Sequence, residues 1–191
     1  MSRSPVYLAL LHGPVYNKRM EVITTSVTNL DIHDISRASR TYGIETFFLV
    51  HPLEAQRNLV AQMSAYWRQG FGSEYNPDRK DALGVLAITA SFEEAVARIT
   101  EKEGLAPIVV ATDARPYPNQ ISYRELRKRF DEDGKPVLLL FGTGWGLTAE
   151  FMQSCDLILD PVNGPTPYNH LSVRSAVSII LDRLLGEVWW E

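Results

Sequence analysis

Apolar runs of strand length alternate along the chain with stretches of helix length that repeat hydrophobic positions every 3.6 residues. The runs cover residues 6–11, 44–50, 84–89, 107–112, 136–141 and 156–160. The helical repeats cover 29–42, 53–68, 92–103, 123–130 and 171–185. Strand–helix alternation of this kind predicts an α/β fold with a mainly parallel sheet flanked by helices. Ser122 and Glu125 form a capping box ahead of the fourth helix. Gly134 and Gly186 stand where a left-handed residue would close a helix. Residues 12–28 and 70–80 read as irregular loops, near the upper end of ordinary length and often functional. No Pro/Gly/Ser linker, repeat or low-complexity segment interrupts the chain, so a single domain over residues 1–191 is expected.

Composition narrows the function classes. The 191 residues carry 19 Lys+Arg against 23 Asp+Glu, a net charge of −4, which excludes a basic module that binds nucleic acid with its whole surface. Any RNA contact must come from a local patch. Cys155 is the one cysteine, so no internal disulfide forms; no Cys/His cluster has zinc spacing, and no metal is expected. The run at 6–11 is too short and wrongly flanked for a signal peptide, and no stretch approaches the roughly 20 apolar residues of a membrane span. A soluble cytoplasmic protein is expected.

Four segments could carry chemistry. In Leu140-Phe141-Gly142-Thr143-Gly144-Trp145-Gly146 a buried strand runs into a glycine-rich turn where backbone N–H groups could approach a ligand. A Rossmann nucleotide turn would follow the first strand with several strand–helix units behind it, whereas only 45 residues follow Gly146; no Lys-Ser/Thr follows to make a P-loop, and a purely structural turn stays open. The second segment, Asp160 to Ser175, holds three prolines and a glycine in a stiff polar loop that feeds a helix start. That helix lines Val173, Ala176, Val177, Ile180, Leu181 and Leu184 on one face, widened by Leu171, Ile179 and Leu185. It is buried, or packs on a second subunit.

The third segment runs from Asp31 to Gly43. At 100° per residue His33, Arg37 and Arg40 share one stripe, while Ile32, Ile35, Ser39 and Tyr42 face the core. Two arginines one turn apart can grip a phosphate; a solvated face is the plainer alternative. The fourth is the basic group Arg124, Arg127, Lys128 and Arg129 with Arg115, suited to RNA phosphates or to pairing with Asp131, Glu132 and Asp133. His12, His51 and His170 have no nucleophile and acid at readable spacing, so no hydrolase triad is supported.

In this order, the segment 35–43 (Ile-Ser-Arg-Ala-Ser-Arg-Thr-Tyr-Gly), the turn 141–147 (Phe-Gly-Thr-Gly-Trp-Gly-Leu), the strand end 157–161 (Leu-Ile-Leu-Asp-Pro) and 169–176 (Asn-His-Leu-Ser-Val-Arg-Ser-Ala) resemble the SPOUT superfamily of S-adenosylmethionine-dependent RNA methyltransferases, in particular a stand-alone bacterial group. The resemblance implies a C-terminal trefoil knot over about residues 136–186, one of the few exceptions to unknotted topology. It implies S-adenosylmethionine held by Leu140, Phe141, Gly142, Thr143, Gly144, Gly146, Ile158, Leu159, Pro161, Asn169, His170 and Leu171. It further implies a homodimer with sites at the subunit interface, an RNA substrate (tRNA or rRNA), and catalytic Arg37, Ser172 and Arg174. Asp31 stands where ribose-methylating relatives carry Asn, and His170-Leu171-Ser172 where they carry Ser-Leu-Asn, which leaves the acceptor atom open. Asp31 and His33 are candidate proton acceptors, with a helix-start role for Asp31 the alternative. A non-catalytic cofactor- or RNA-binding module, and a nucleotide-binding oxidoreductase, are the competing function classes.

Overall fold

The apolar runs line up side by side as one parallel sheet. The computed structural model describes residues 4–132 and 134–187. In chain order its elements are β1 (Val6–Leu11), β2 (Val15–Tyr16), β3 (Val22–Ile23), α1 (Asn29–Thr41), β4 (Phe47–Val50), α2 (Glu54–Arg68), α3 (Phe71–Tyr75), α4 (Pro77–Leu83), β5 (Leu86–Thr89), α5 (Phe92–Glu103), β6 (Ile108–Ala111), β7 (Gln120–Ile121), α6 (Tyr123–Glu132), β8 (Val137–Gly142), α7 (Ala149–Gln153), β9 (Leu157–Leu159) and α8 (Val173–Leu185). The sheet order is β5-β4-β1-β8-β6-β9-β7, with every neighbour parallel.

All six residues of β1 are buried, because period-two alternation sends them into two separate cores. Val6, Leu8 and Leu10 meet Ile32 and Ile35 of α1, Phe130 of α6 and Val177, Leu181 and Leu184 of α8. Tyr7, Ala9 and Leu11 meet Ala95 and Ile99 of α5 and Met152 of α7. Helices therefore cover both faces, as the sequence pattern predicts. The α8 stripe is buried within the chain at Val177, Ile180, Leu181 and Leu184.

Several expectations are corrected. Residues 12–28 hold the antiparallel β2–β3 hairpin, and residues 70–80 form α3 and most of α4. Elements of two to seven residues are too short for a readable period, and tertiary contacts build them. Asn76 caps α4 by accepting the Arg79 N–H at 3.0 Å, with Pro77 in the first turn. Gly134 is left-handed (φ +61), but Gly186 is extended. At that end Arg127 donates to the carbonyls of Arg183 (3.2 Å) and Gly186 (2.8 Å), so no left-handed closure is needed. Leu171 lies outside α8 and is exposed, because Ser172 is the helix cap.

One arrangement positions the site. β9 is inserted between β6 and β7, two strands that precede it and are joined by residues 112–119. The registers Ala111↔Ile158 and Gln120↔Ile158 place all three strands at one level, with their carboxyl ends and following loops together.

Candidate active site

In open α/β sheets ligands bind outside the carboxyl ends of the strands, where successive connections depart in opposite directions. Here that point lies between β1 and β8: the chain leaves β1 toward β4 and leaves β8 toward β9. The β2–β3 hairpin occupies part of it. Tyr16 N–H donates to Gly146 O (2.9 Å), Trp145 N–H donates to Tyr16 O (2.8 Å), and Val15 bridges Leu147. The Thr25 and Thr143 hydroxyls bond across the same junction.

This contact accounts for the glycines of the turn. A Cβ on Gly144 (φ +62) would stand 2.8 Å from Tyr16 O, and one on Gly146 (φ +91) would stand 2.8 Å from Asp113 Oδ2. The sequence pattern suggests close approach of a ligand at these glycines. The structure shows them admitting the chain's own hairpin and the 112–119 loop.

Three loops converge on the far side of the turn. Asp113, nearly buried, accepts two bonds from the Arg115 guanidinium (3.0 and 2.7 Å) and one from the Arg115 N–H (2.8 Å). Asn169 donates through Nδ2 to Ala114 O at 2.6 Å, which ties the loop after β9 to the loop after β6. Asp113 is absent from the residues that the sequence motifs single out; an acid directly after an apolar strand of a parallel sheet is the signal that finds it. Ile158, Pro161 and Val162 are half-buried there, and Leu171 is exposed. Among the described residues, no backbone N–H of residues 162–166 bonds to another backbone group. Apolar side chains beside free backbone donors and acceptors suit a purine ring and a polar tail.

The starts of α1 and α8 face each other beside these loops. Thr28 caps α1, accepting the Asp31 N–H (3.2 Å) and donating its hydroxyl to Asp31 Oδ2 (2.6 Å). Asp31 is therefore a helix-start residue, and it also meets Arg174 Nη1 at 3.4 Å. Arg174 Nε reaches Asp34 at 3.4 Å. Ser172 caps α8 and shares a bond with the Ser175 hydroxyl (2.8 Å). Of the predicted arginines, Arg40 is paired with Asp81 (2.6 Å), whereas the exposed Arg37 side chain makes no hydrogen bond or ion pair among the described residues. The His33 ring stands perpendicular to that of Trp67, with centroids 5.5 Å apart, and its pKa is lowered by burial first, then by the charge of Arg79 and, less, of Arg37. The fourth segment is largely committed internally: Lys128 pairs with Glu132, and Arg127 and Arg115 are bonded as above.

His12 and His51 extend β1 and β4, and their rings lie 5.2 Å apart, both fully buried. A carbonyl only accepts, so His51 Nε2 carries its proton to Thr25 O (2.9 Å) while Nδ1 accepts from Leu53 N–H (3.1 Å). Neither ring nitrogen of His12 has a partner among the described residues. Burial, and then His51, push the His12 pKa down to about 4, so the ring is neutral at pH 7. His170 sits apart, its ring edge-on to Tyr168.

Residues 5–186 match a family of SAM-dependent RNA methyltransferases. The chain belongs to that family. An uncharacterized protein of Aquifex aeolicus is 39% identical to this methyltransferase over 186 residues, covering 97% of this chain and 91% of the relative. A tRNA (guanine-N(1)-)-methyltransferase of Nitratidesulfovibrio vulgaris is 45% identical over 184 residues, but the match covers 96% of this chain and 43% of that relative. The chain thus spans less than half of that longer enzyme. The SpoU methyltransferase AviRb of Streptomyces viridochromogenes, solved with AdoMet, superposes with a TM-score of 0.58 at 14% identity, over 97% of this chain and 58% of that one. At that identity the likeness is one of fold, and it is the SPOUT α/β fold expected from the sequence. The family's cofactor is S-adenosylmethionine. No helix among the described residues is long and apolar enough to cross a membrane.

Proposed function

We propose that this methyltransferase modifies a nucleotide of tRNA or rRNA as a cytoplasmic homodimer, in one domain whose residues 136–186 thread through the 112–119 loop as a trefoil knot. The observation that carries the reading is the meeting of the loops after β6, β8 and β9, with β9 inserted between two earlier strands. Backbone groups of Leu140, Phe141, Gly142, Thr143, Gly144 and Gly146 form one wall of the cofactor site. Ile158, Leu159, Pro161, Asn169, His170 and Leu171 form the other. S-adenosylmethionine, when bound, supplies an electrophilic methyl on a sulfonium, open to in-line displacement by a nucleotide oxygen or nitrogen.

The protein's work is then positioning, and taking or tolerating the acceptor's proton. Arg37, exposed on α1 and unpaired among the described residues, orients a phosphate or hydroxyl of the acceptor nucleotide next to the partner subunit's cofactor. Ser172 and Arg174 border the acceptor side through the first turn of α8. The bonds from Arg174 to Asp31 and Asp34 hold that turn against the helix that carries Arg37.

Parallel calorimetric titration with S-adenosylmethionine, S-adenosylhomocysteine and NAD tests the cofactor, and transfer of labelled methyl into bulk RNA tests the reaction. Micromolar binding of the first two with NAD silent, and label in RNA, is expected. Binding of NAD alone would overturn the assignment; cofactor binding without transfer would leave a non-catalytic module.

A further inference from the structure

The segment 70–80 plays no part in the proposed cofactor site, yet together with the end of α2 it displays a dense exposed aromatic surface among the described residues. Phe71 is 69% exposed, Tyr75 76% and Tyr66 52%, all within ten residues. Burying a ring of this size is worth about 1.5–3 kcal/mol, so neighbouring rings left open to water call for an occupant.

The rings are held in a fixed array. Phe71 and Tyr75 lie near-parallel with centroids 6.2 Å apart, and Tyr66 sits edge-on to Trp67 at 5.1 Å. Gly72 lets α3 rest directly on these rings: a Cβ there would stand 2.7 Å from the Trp67 ring and 3.0 Å from that of Tyr66. Arg79 lies over the Trp67 face, 4.3 Å from its centroid. Trp67 also meets the ring of His33, one turn from Arg37, edge to face. The rings of His33 and Trp67 thus stand between α1, which carries Arg37, and α3, which carries Phe71 and Tyr75.

Cations stand on the elements that carry this array: Arg37 on α1, Arg68 at the end of α2, and Arg79 and Lys80 on α4. The side chains of Arg37, Arg68 and Lys80 are exposed and make no hydrogen bond or ion pair among the described residues. Of the nearby acids, Asp81 is neutralised by Arg40, and Glu74 and Asp78 remain on α3 and α4. Exposed aromatic faces interleaved with unpaired cations are what unstacked bases on a phosphate backbone require. A second copy of the chain seated symmetrically here would bring like cations together, which disfavours it as the occupant.

We propose that Phe71 and Tyr75, bordered by Arg68, Arg79 and Lys80, form a platform on which unpaired bases of the RNA substrate stack, next to the nucleotide that Arg37 orients. The proposal rests on the RNA methyltransferase reading for its ligand class, but the platform is separate from the cofactor loops. It supplies locally the RNA contact that a chain of net charge −4 cannot make with its whole surface.

The test measures anisotropy of a fluorescein-labelled, mixed-sequence 12-nucleotide single-stranded RNA, and of the same RNA as a duplex, on the wild-type protein and on Phe71→Leu, Tyr75→Leu and the double variant. Leucine keeps the apolar bulk and removes the π face, and Tyr75→Phe keeps the ring. Single-strand affinity should fall about tenfold for each ring removed, stay near wild type in Tyr75→Phe, and leave S-adenosylmethionine affinity unchanged. Arg68→Ala with Lys80→Ala should flatten the dependence of log affinity on log salt by about 0.7 for each phosphate that is no longer neutralised. Unchanged single-strand affinity in the double variant overturns the platform. So does a shift from dimer to monomer in sedimentation, which would make the rings a subunit contact. Ring-dependent RNA binding by a protein that fails to bind S-adenosylmethionine would sink the methyltransferase reading and leave the platform standing.

Discussion

His12 makes stability depend on acid in a way that can be worked out from its surroundings. The ring is fully buried at the end of β1 with both nitrogens unpartnered among the described residues, and its pKa is lowered to about 4 from 6.5 by burial first and His51 second. Because the folded chain refuses a proton that the unfolded chain accepts, the contribution is fully present above pH 6.5. It drains away as pH falls toward 4. A gap of this size amounts to about 3 kcal/mol in all, of which about 1 is lost by pH 5.5 and between 2 and 3 by pH 4.5. His12→Leu removes the titrating group without orphaning a partner, so its stability at pH 7.5 should stay within about 1 kcal/mol of wild type. Urea unfolding of both proteins at pH 7.5, 5.5 and 4.5 isolates the effect, since all other titrations are common to the pair. The difference between them should shift in favour of the leucine variant by about 2–3 kcal/mol over that range. Parallel pH profiles would refute the account of His12 as a buried, unpartnered and neutral ring.

The remaining predictions concern the turn, the helix pair and the reaction. Gly144→Ala sets a Cβ at φ +62 and 2.8 Å from Tyr16 O, so it should cost about 1–2 kcal/mol in a urea melt and detach the β2–β3 hairpin, read as faster amide exchange at Trp145 and Tyr16. Arg174→Met leaves Asp31 short of its cation and should cost about 1–2 kcal/mol, recovered in part by Asp31→Asn in the same chain; a full double-mutant cycle with no coupling would dismiss the pair. Arg37→Ala should cut methyl transfer at least about 100-fold while calorimetric affinity for S-adenosylmethionine stays the same; a large loss of cofactor binding would place Arg37 in the cofactor site instead.

What is legible in the sequence follows the length of each signal. β1 is readable to its residue bounds because six consecutive buried positions leave no ambiguity, and α5 because Ser91 caps it and Gly104 closes it. The hairpin of two-residue strands, α3 and α7 leave no periodic trace, since each is shorter than one or two repeats of its own pattern. The candidate site divides the same way. Local composition places the glycine turn and the proline-rich loop, but not the partners of the glycines. Gly144 meets Tyr16 and Gly146 meets Asp113, contacts that only the folded sheet creates. Arg174 stands out in the sequence as a candidate site residue, but its pairing with Asp31 spans 143 positions and leaves no mark on either local segment.

The filled crevice between β1 and β8 decides where each task can be done. The hairpin bonded to Gly146 and Leu147 closes one side of the glycine turn, and the proposed cofactor site takes the other, formed by Asp113, Asn169 and residues 162–166. In the proposed reading the acceptor approaches from the end where α1 and α8 start, where Arg174 ties one helix to the other through Asp31 and Asp34. Arg37 is exposed on α1, the His33 ring of the same helix meets Trp67 of α2, and α3 rests on Trp67 through Gly72. The proposed cofactor loops and the proposed ring platform thus stand on different elements, the loops after β6, β8 and β9 against α3 and α4. Substitutions at the loops should abolish cofactor binding while sparing RNA binding, and substitutions at the rings should do the reverse. An enzyme whose RNA recognition came from the cofactor loops would lose both together.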